Sequence, residues 1–116
     1  MANKRCMQRL KRSLHVRLYE SGREVVARTI DISSGGMLIS ARAVLCPGTR
    51  VKGVLALEDG SEMPFEVEVR WARKVSSNLA AAGLTHLNRM GLRFVSTPSE
   101  PFFQLLFGMW NRRAAA

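Results

Sequence analysis

Two short groups of residues in this chain could do chemistry, and both suit recognition of an anion or a base rather than a reaction. The first is Arg5 and Arg9, an R-x-x-x-R within a basic N-terminal segment. An arginine fork can hold the O6 and N7 edge of guanine bidentately, grip phosphate, or stack on a base. Two such forks on a flexible segment can close over a ligand, and the segment is then ordered only when the anion arrives. The second is Asp31, Ser33 and Gly36, a D-x-S-x-x-G. Residues two apart on a strand share a face, so Asp31 and Ser33 are expected to project together, opposite Ile30 and Ile32. A carboxylate beside a hydroxyl accepts well from the N1–H and N2–H₂ donors of guanine. Gly36 removes a side chain where a flat ring would approach the backbone. A Ser-Gly-Gly turn with a local side-chain hydrogen bond explains the same residues without a ligand, and R-x-x-x-R arises easily in a basic tail.

The elements that must position these groups read mainly as strands, because the dominant period is two. Leu14, Val16 and Leu18 alternate with His15, Arg17 and Tyr19, and Glu20-Ser21-Gly22-Arg23 follows as a hairpin turn. A second strand is expected from about Glu24 to Ser33 with Val26, Ile30 and Ile32 inward, then a third at Met37-Leu38-Ile39. A fourth runs from Arg50 to Leu57, and Glu58-Asp59-Gly60-Ser61 turns into a fifth. There Phe65, Val67, Val69 and Trp71 form a dry face against Glu66, Glu68 and Arg70. Residues 76–88 read as a loop, and Met90, Leu92 and Phe94 mark the sixth strand. Six short antiparallel strands hide their edges best in a closed sheet, so the expected fold is all-β, a small six-stranded barrel. Thr97-Pro98-Ser99-Glu100 then opens a helix whose Phe102, Leu105, Leu106 and Met109 share one stripe. Its use is to cover an open barrel end, with docking to a partner or a second copy as the alternative. The expected division is a flexible basic segment over 1–13, the barrel over 14–96 and a C-terminal helix over 97–113.

Composition narrows the class of function. The chain has 116 residues, enough for one domain, and a formal charge of +9 from 18 basic and 9 acidic side chains. Lys4, Arg5, Arg9, Lys11, Arg12 and Arg17 lie in the first 17 residues with no acid among them, a field that favours an anionic partner. No apolar run is long enough to span a bilayer, and no secretory signal is evident, so a cytoplasmic address is expected. Cys6 and Cys46 are far apart in sequence and read as reduced thiols. His15 and His86 stand without a nucleophile or paired carboxylates, and neither a P-loop nor metal-ligand spacing occurs, so neither an enzyme nor a metal protein is expected.

R-x-x-x-R followed by D-x-S-x-x-G on this strand pattern resembles the PilZ family of bacterial cyclic di-GMP receptors. The resemblance extends through Val69-Arg70-Trp71-Ala72-Arg73 and Met90-Gly91-Leu92-Arg93-Phe94-Val95, similar to that family's fifth and last strands. It implies a PilZ-type barrel in which Arg5 and Arg9 wrap cyclic di-GMP, Asp31 and Ser33 contact guanine, and Gly36 leaves space. It further implies a downstream protein partner, since a stand-alone domain carries no output module. Lys4 stands where the family often has a third arginine; it keeps the charge without the planar fork, which bears on whether one ligand or an intercalated pair binds. Trp71 could stack on the ligand, although its place on the dry strand face favours the core. Arg28, Arg70 and Arg73 read as solvated strand residues with phosphate contact as a second use. Two other readings are a protein-interaction module that binds no nucleotide and a small barrel for RNA or single-stranded DNA. The second is weakened by aromatic residues at only 7% of the chain and by an aspartate on the binding face.

Overall fold

A computed structural model describes residues 9–84 and 87–95. It contains β1 (His15–Glu20), β2 (Arg23–Ile32), β3 (Gly36–Ala41), β4 (Arg50–Ala56), β5 (Glu62–Arg73), α1 (Ser77–Ala81) and β6 (Arg89–Phe94). The strands close into one antiparallel barrel in the order β1-β2-β3-β6-β5-β4. The expected barrel is therefore present. The C-terminal helix over 97–113, and with it any homodimer through that helix, falls outside the described residues.

Local chemistry fixes the turns. Ser21 and Gly22 both have positive φ, 49° and 77°, which suits the twist of a two-residue hairpin between Glu20 and Arg23. At the β4–β5 turn, Leu57 N–H donates to the Ser61 carbonyl at 2.9 Å, and Asp59 accepts from the Ser61 N–H and hydroxyl. Inside the barrel Val16, Leu18, Ile32, Ile39, Leu55, Val67 and Met90 have no exposed surface. Phe65 and Phe94 meet edge to face with centroids 6.2 Å apart. Residues 76–88 are not a plain loop. Ser76 caps the short helix α1 by accepting from the Leu79 N–H, and Asn88 is buried where its amide joins two connections. Its Oδ1 accepts from the Val75 N–H at 2.8 Å, while its Nδ2 donates to the Arg42 carbonyl at 3.0 Å.

Two β-bulges shift the expected alternation. The β2–β3 register slips between Thr29 and Asp31. Before it Val25, Ala27 and Thr29 face the core; after it Ile32 does. Val26, expected inward, is 52% exposed, and Ile30, also expected inward, is only half-buried at the bulge. The strand carries too few strong apolar residues on either face for the pattern to reveal where the phase changes. The second bulge lies in β5 between Val69 and Trp71. Val67 and Val69 stay in the core, but Trp71 is turned outward and is 44% exposed.

The N-terminal segment, expected to be flexible over 1–13, is anchored at its far end. Leu10 is 2% exposed and forms an isolated antiparallel bridge with Ile32, with N–H to carbonyl distances of 2.7 and 3.0 Å. The Thr29 hydroxyl accepts from the Leu14 N–H at 2.9 Å and donates to the Arg12 carbonyl. A buried threonine thus satisfies its polar group by tying this segment along β2. Because Leu10 belongs to the core, Leu10→Ala should cost about 2–4 kcal/mol in urea unfolding; a loss below about 0.5 kcal/mol would place that side chain outside the core.

Acid should loosen the far side of the barrel. Glu68 sits on β5 between Arg50 of β4 and Arg93 of β6, and Arg93 Nη2 donates to its Oε1 at 2.7 Å. That hydrogen bond, with the fields of Arg93, Arg70 and Arg50, holds the Glu68 carboxyl below its ordinary pKa against a smaller opposing effect of desolvation. The ionised form therefore favours folding above the ordinary carboxylate pKa, and the benefit disappears as pH falls through the lowered value. Glu68→Gln should flatten the decline of the urea midpoint between about pH 5 and pH 2; an unchanged slope would mean the pair contributes nothing.

Candidate functional site

The site is built on one cross-strand row. Asp31 lies opposite Leu38, Leu38 opposite Gly91, and Gly91 opposite Trp71, so the four residues cross β2, β3, β6 and β5 in line. Both ends of this row come directly after a bulge. Beside it opens a cleft of about 410 Å³ lined by Arg9, Ser33, Gly35, Gly36, Met37, Leu38, Arg70, Trp71, Gly91 and Leu92. This volume is within the usual range for small-molecule sites.

Of the residues singled out from the sequence, Arg9, Ser33, Gly36 and Trp71 line the cleft together. Asp31 is tied to them through Arg9, whose Nη1 donates to Asp31 Oδ1 at 3.2 Å. The aspartate side chain is 14% exposed and the arginine 60%, so the carboxylate is the fixed partner and the guanidinium the accessible one. Arg5 and Lys4 fall outside the described residues. Arg28 and Arg73 are not on this cleft, whereas Arg70 is.

Ser33 is held by the turn it begins. Its N–H donates to the Gly36 carbonyl at 2.8 Å, and its hydroxyl accepts from the Gly35 N–H at 3.3 Å. That bond uses the hydroxyl as an acceptor and leaves its own proton available. Gly36 does not have positive φ; its role is close approach. A Cβ there would stand 1.9 Å from the Leu92 carbonyl oxygen, so the glycine is needed to pair β3 with β6 whether or not a ligand binds. Trp71, expected mainly in the core, instead lies over Gly91, where a Cβ would meet the indole Nε1 at 2.2 Å. The bulge supplies the outward turn and Gly91 the flat seat. The outcome is an indole face at the edge of a cleft that also holds a guanidinium and a hydroxyl. Such a group can stack on a planar base and bind its polar edge.

Sequence reasoning left out Gly91, Leu38 and Met37, which form the floor. Gly91 stood within a recognised strand segment, but nothing in the sequence says that an indole from the neighbouring strand will cover it.

The two glycines should respond differently to a methyl group. Gly36→Ala meets backbone and should lower stability by at least about 2 kcal/mol in urea titration. Gly91→Ala meets the movable indole and should instead shift Trp71 fluorescence to longer wavelength, read in a Trp110→Phe background, with the smaller stability loss. Equal losses with unmoved fluorescence would mean that Trp71 does not rest on Gly91.

The PilZ domain family model matches residues 3–108. The fold is shared with the Escherichia coli YcgR PilZ domain solved with c-di-GMP, at TM-score 0.70 and 17% identity over 96% of this chain and 94% of that one. It is also shared with the PilZ domain of CeSA from a cellulose-synthesizing bacterium (TM-score 0.58, 19% identity, 88% and 97% covered). The Bacillus subtilis inhibitor of motility MotI/DgrA matches at TM-score 0.69 and 16% identity over 95% of this chain, which spans about half (51%) of that protein. A comparison with curated proteins finds no match. Among the described residues no cluster could hold a metal ion, and no helix is long and apolar enough to cross a membrane. With residues 3–108 matched, the chain belongs to the PilZ domain family, a family of ligand-binding effector domains rather than enzymes.

Proposed function

We propose that this chain is a cyclic di-GMP receptor that binds the dinucleotide in the cleft between Arg9 and Trp71. The observation that carries the reading is the convergence of Arg9, Ser33, Gly36 and Trp71 on one cleft, with Asp31 holding Arg9 at its edge. A guanine stacked on the Trp71 indole would offer its N1–H and N2–H₂ edge to Asp31 and Ser33 and its O6 and N7 edge to an arginine fork. Arg5 and Arg9 then close over the ligand from the N-terminal side, and Arg70, which also lines the cleft, is placed to meet phosphate. Lys4 adds charge without a fork, and the stoichiometry of the titration below distinguishes one ligand from an intercalated pair.

Ligand binding in this scheme changes the partner of Arg9. Without ligand the guanidinium neutralises Asp31; with ligand both groups turn to guanine or phosphate. The residues before Leu10 are then drawn across the cleft while Leu10 stays fixed to Ile32. The rearranged segment is the signal a partner protein reads, a population shift rather than a chemical step.

Calorimetric titration of cyclic di-GMP at fixed moderate salt tests this directly. Arg5→Ala and Arg9→Ala should each weaken binding about ten- to a hundredfold, as expected for loss of about 1.5–3 kcal/mol from a charge-assisted contact. Asp31→Asn separates two roles of the aspartate. Weaker binding fits direct contact with guanine, whereas stronger binding would mean that Asp31 only competes for Arg9. A folded wild-type chain that does not bind would end the receptor reading.

A further inference from the structure

A second row of side chains runs beside the first, and the receptor reading makes no use of it. His15 lies opposite Arg28, Arg28 opposite Ser40, Ser40 opposite Arg89, and Arg89 opposite Arg73. The row crosses β1, β2, β3, β6 and β5 on the outer face, a length of about 19 Å at the usual spacing between strands. Between its β1 and β3 members is a separate cavity of about 340 Å³ lined by His15, Val26, Ala27, Arg28, Ser40, Ala41 and Arg42. Val26, the strand residue left outside by the β2 phase, gives this groove an exposed aliphatic floor.

Three of the described arginines on this face have no carboxylate partner. Among the described residues Arg9, Arg12, Arg17, Arg23 and Arg93 are paired with carboxylates, whereas Arg28, Arg42 and Arg73 are not. Arg28 instead meets two other side chains: its Nη1 donates to the Ser13 hydroxyl at 3.1 Å and its Nη2 is 3.3 Å from His15 Nε2. The described acids lie elsewhere. Glu20 and Glu24 flank the β1–β2 hairpin, Glu58, Asp59 and Glu62 the β4–β5 turn, and Glu66 and Glu68 face outward on β5. Asp31 is held by Arg9.

We infer that this face docks an acidic segment of a partner protein, with carboxylates on Arg28, Arg42 and Arg73 and an apolar side chain over Val26. Arginine forks match carboxylates bidentately, and arginine beside an apolar patch is typical of protein interfaces. The aliphatic floor argues against single-stranded nucleic acid, which needs aromatic platforms. The exposed aromatic residues among those described, Trp71 and Tyr19, line other cavities.

The test uses the full chain and a fluorescein-labelled synthetic peptide of about ten alternating glutamates and leucines, long enough to cover the row at roughly 3.4 Å per residue. Its glutamine counterpart and a single-stranded oligonucleotide serve as comparisons. At about 50 mM salt the acidic peptide should bind at least tenfold more tightly than the glutamine peptide, weakening as salt rises. Amide shifts should centre on Val26, Arg28, Ser40 and Arg42. Arg28→Glu with Arg42→Glu should cost at least tenfold in peptide affinity, with the amide spectrum confirming the fold and cyclic di-GMP titration unchanged. Equal binding of the two peptides, shifts centred on the basic N-terminal residues, or an indifferent double variant would overturn the inference. Tighter binding of the oligonucleotide at the same row would overturn it in favour of a nucleic-acid surface.

Discussion

Everything at the cleft depends on two residues inserted out of phase, one in β2 and one in β5. Strict alternation along β5 would send Trp71 into the barrel with Val67 and Val69, and the cleft would lose its aromatic edge. The β2 bulge works in the same direction, since it lets Thr29 face inward and still brings Ile32 into the core with Asp31 outside. The bulged strands flank the β3–β6 pair, which must therefore be slim enough for the two edges to meet across it. Gly36 and Gly91 supply that slimness by different means, one against backbone and one beneath an indole. Bulge, glycine and aromatic ring thus form one solution to one geometric problem.

The barrel was legible because inward residues recur at spacing two on β1, β4 and most of β5, and because Ser21-Gly22 and Asp59-Gly60 announce their turns. Arg9, Asp31, Ser33 and Gly36 were legible as a group because their types match a recurring recognition pattern. Trp71 and Val26 were placed on the wrong face for one common reason. A bulge adds a single residue and leaves no compositional mark when its neighbours are Val, Ile, Thr or Arg, all acceptable on either face. Leu10 was hidden by its surroundings. A lone leucine among arginines and lysines reads as tail, and only the backbone bonds to Ile32 reveal it as core.

Charge is organised as deliberately as shape. Carboxylates and guanidinium groups pair across the barrel at Arg12–Glu58, Arg17–Glu62 and Glu68–Arg93, where they bind neighbouring elements together. Exposed pairs of this kind add little stability individually. Their larger effect is to hold Glu58, Glu62 and Glu68 against arginines, away from Arg28 and Arg42. The Arg9–Asp31 pair differs, because Arg9 lines the cleft while Asp31 holds it from behind, with the guanidinium the more exposed of the two.

The close contact at Gly36 bears on how receptors of this architecture are told apart from relatives that have lost their ligand. Barrel closure alone demands a glycine opposite the Leu92 carbonyl, so selection would retain it long after binding had ceased. A pattern search that rewards the terminal glycine of D-x-S-x-x-G therefore counts an architectural requirement as a sign of function. The side chains free to drift in a chain with no ligand are Arg9, Asp31 and the indole on Gly91, and on them a sequence-based diagnosis should rest.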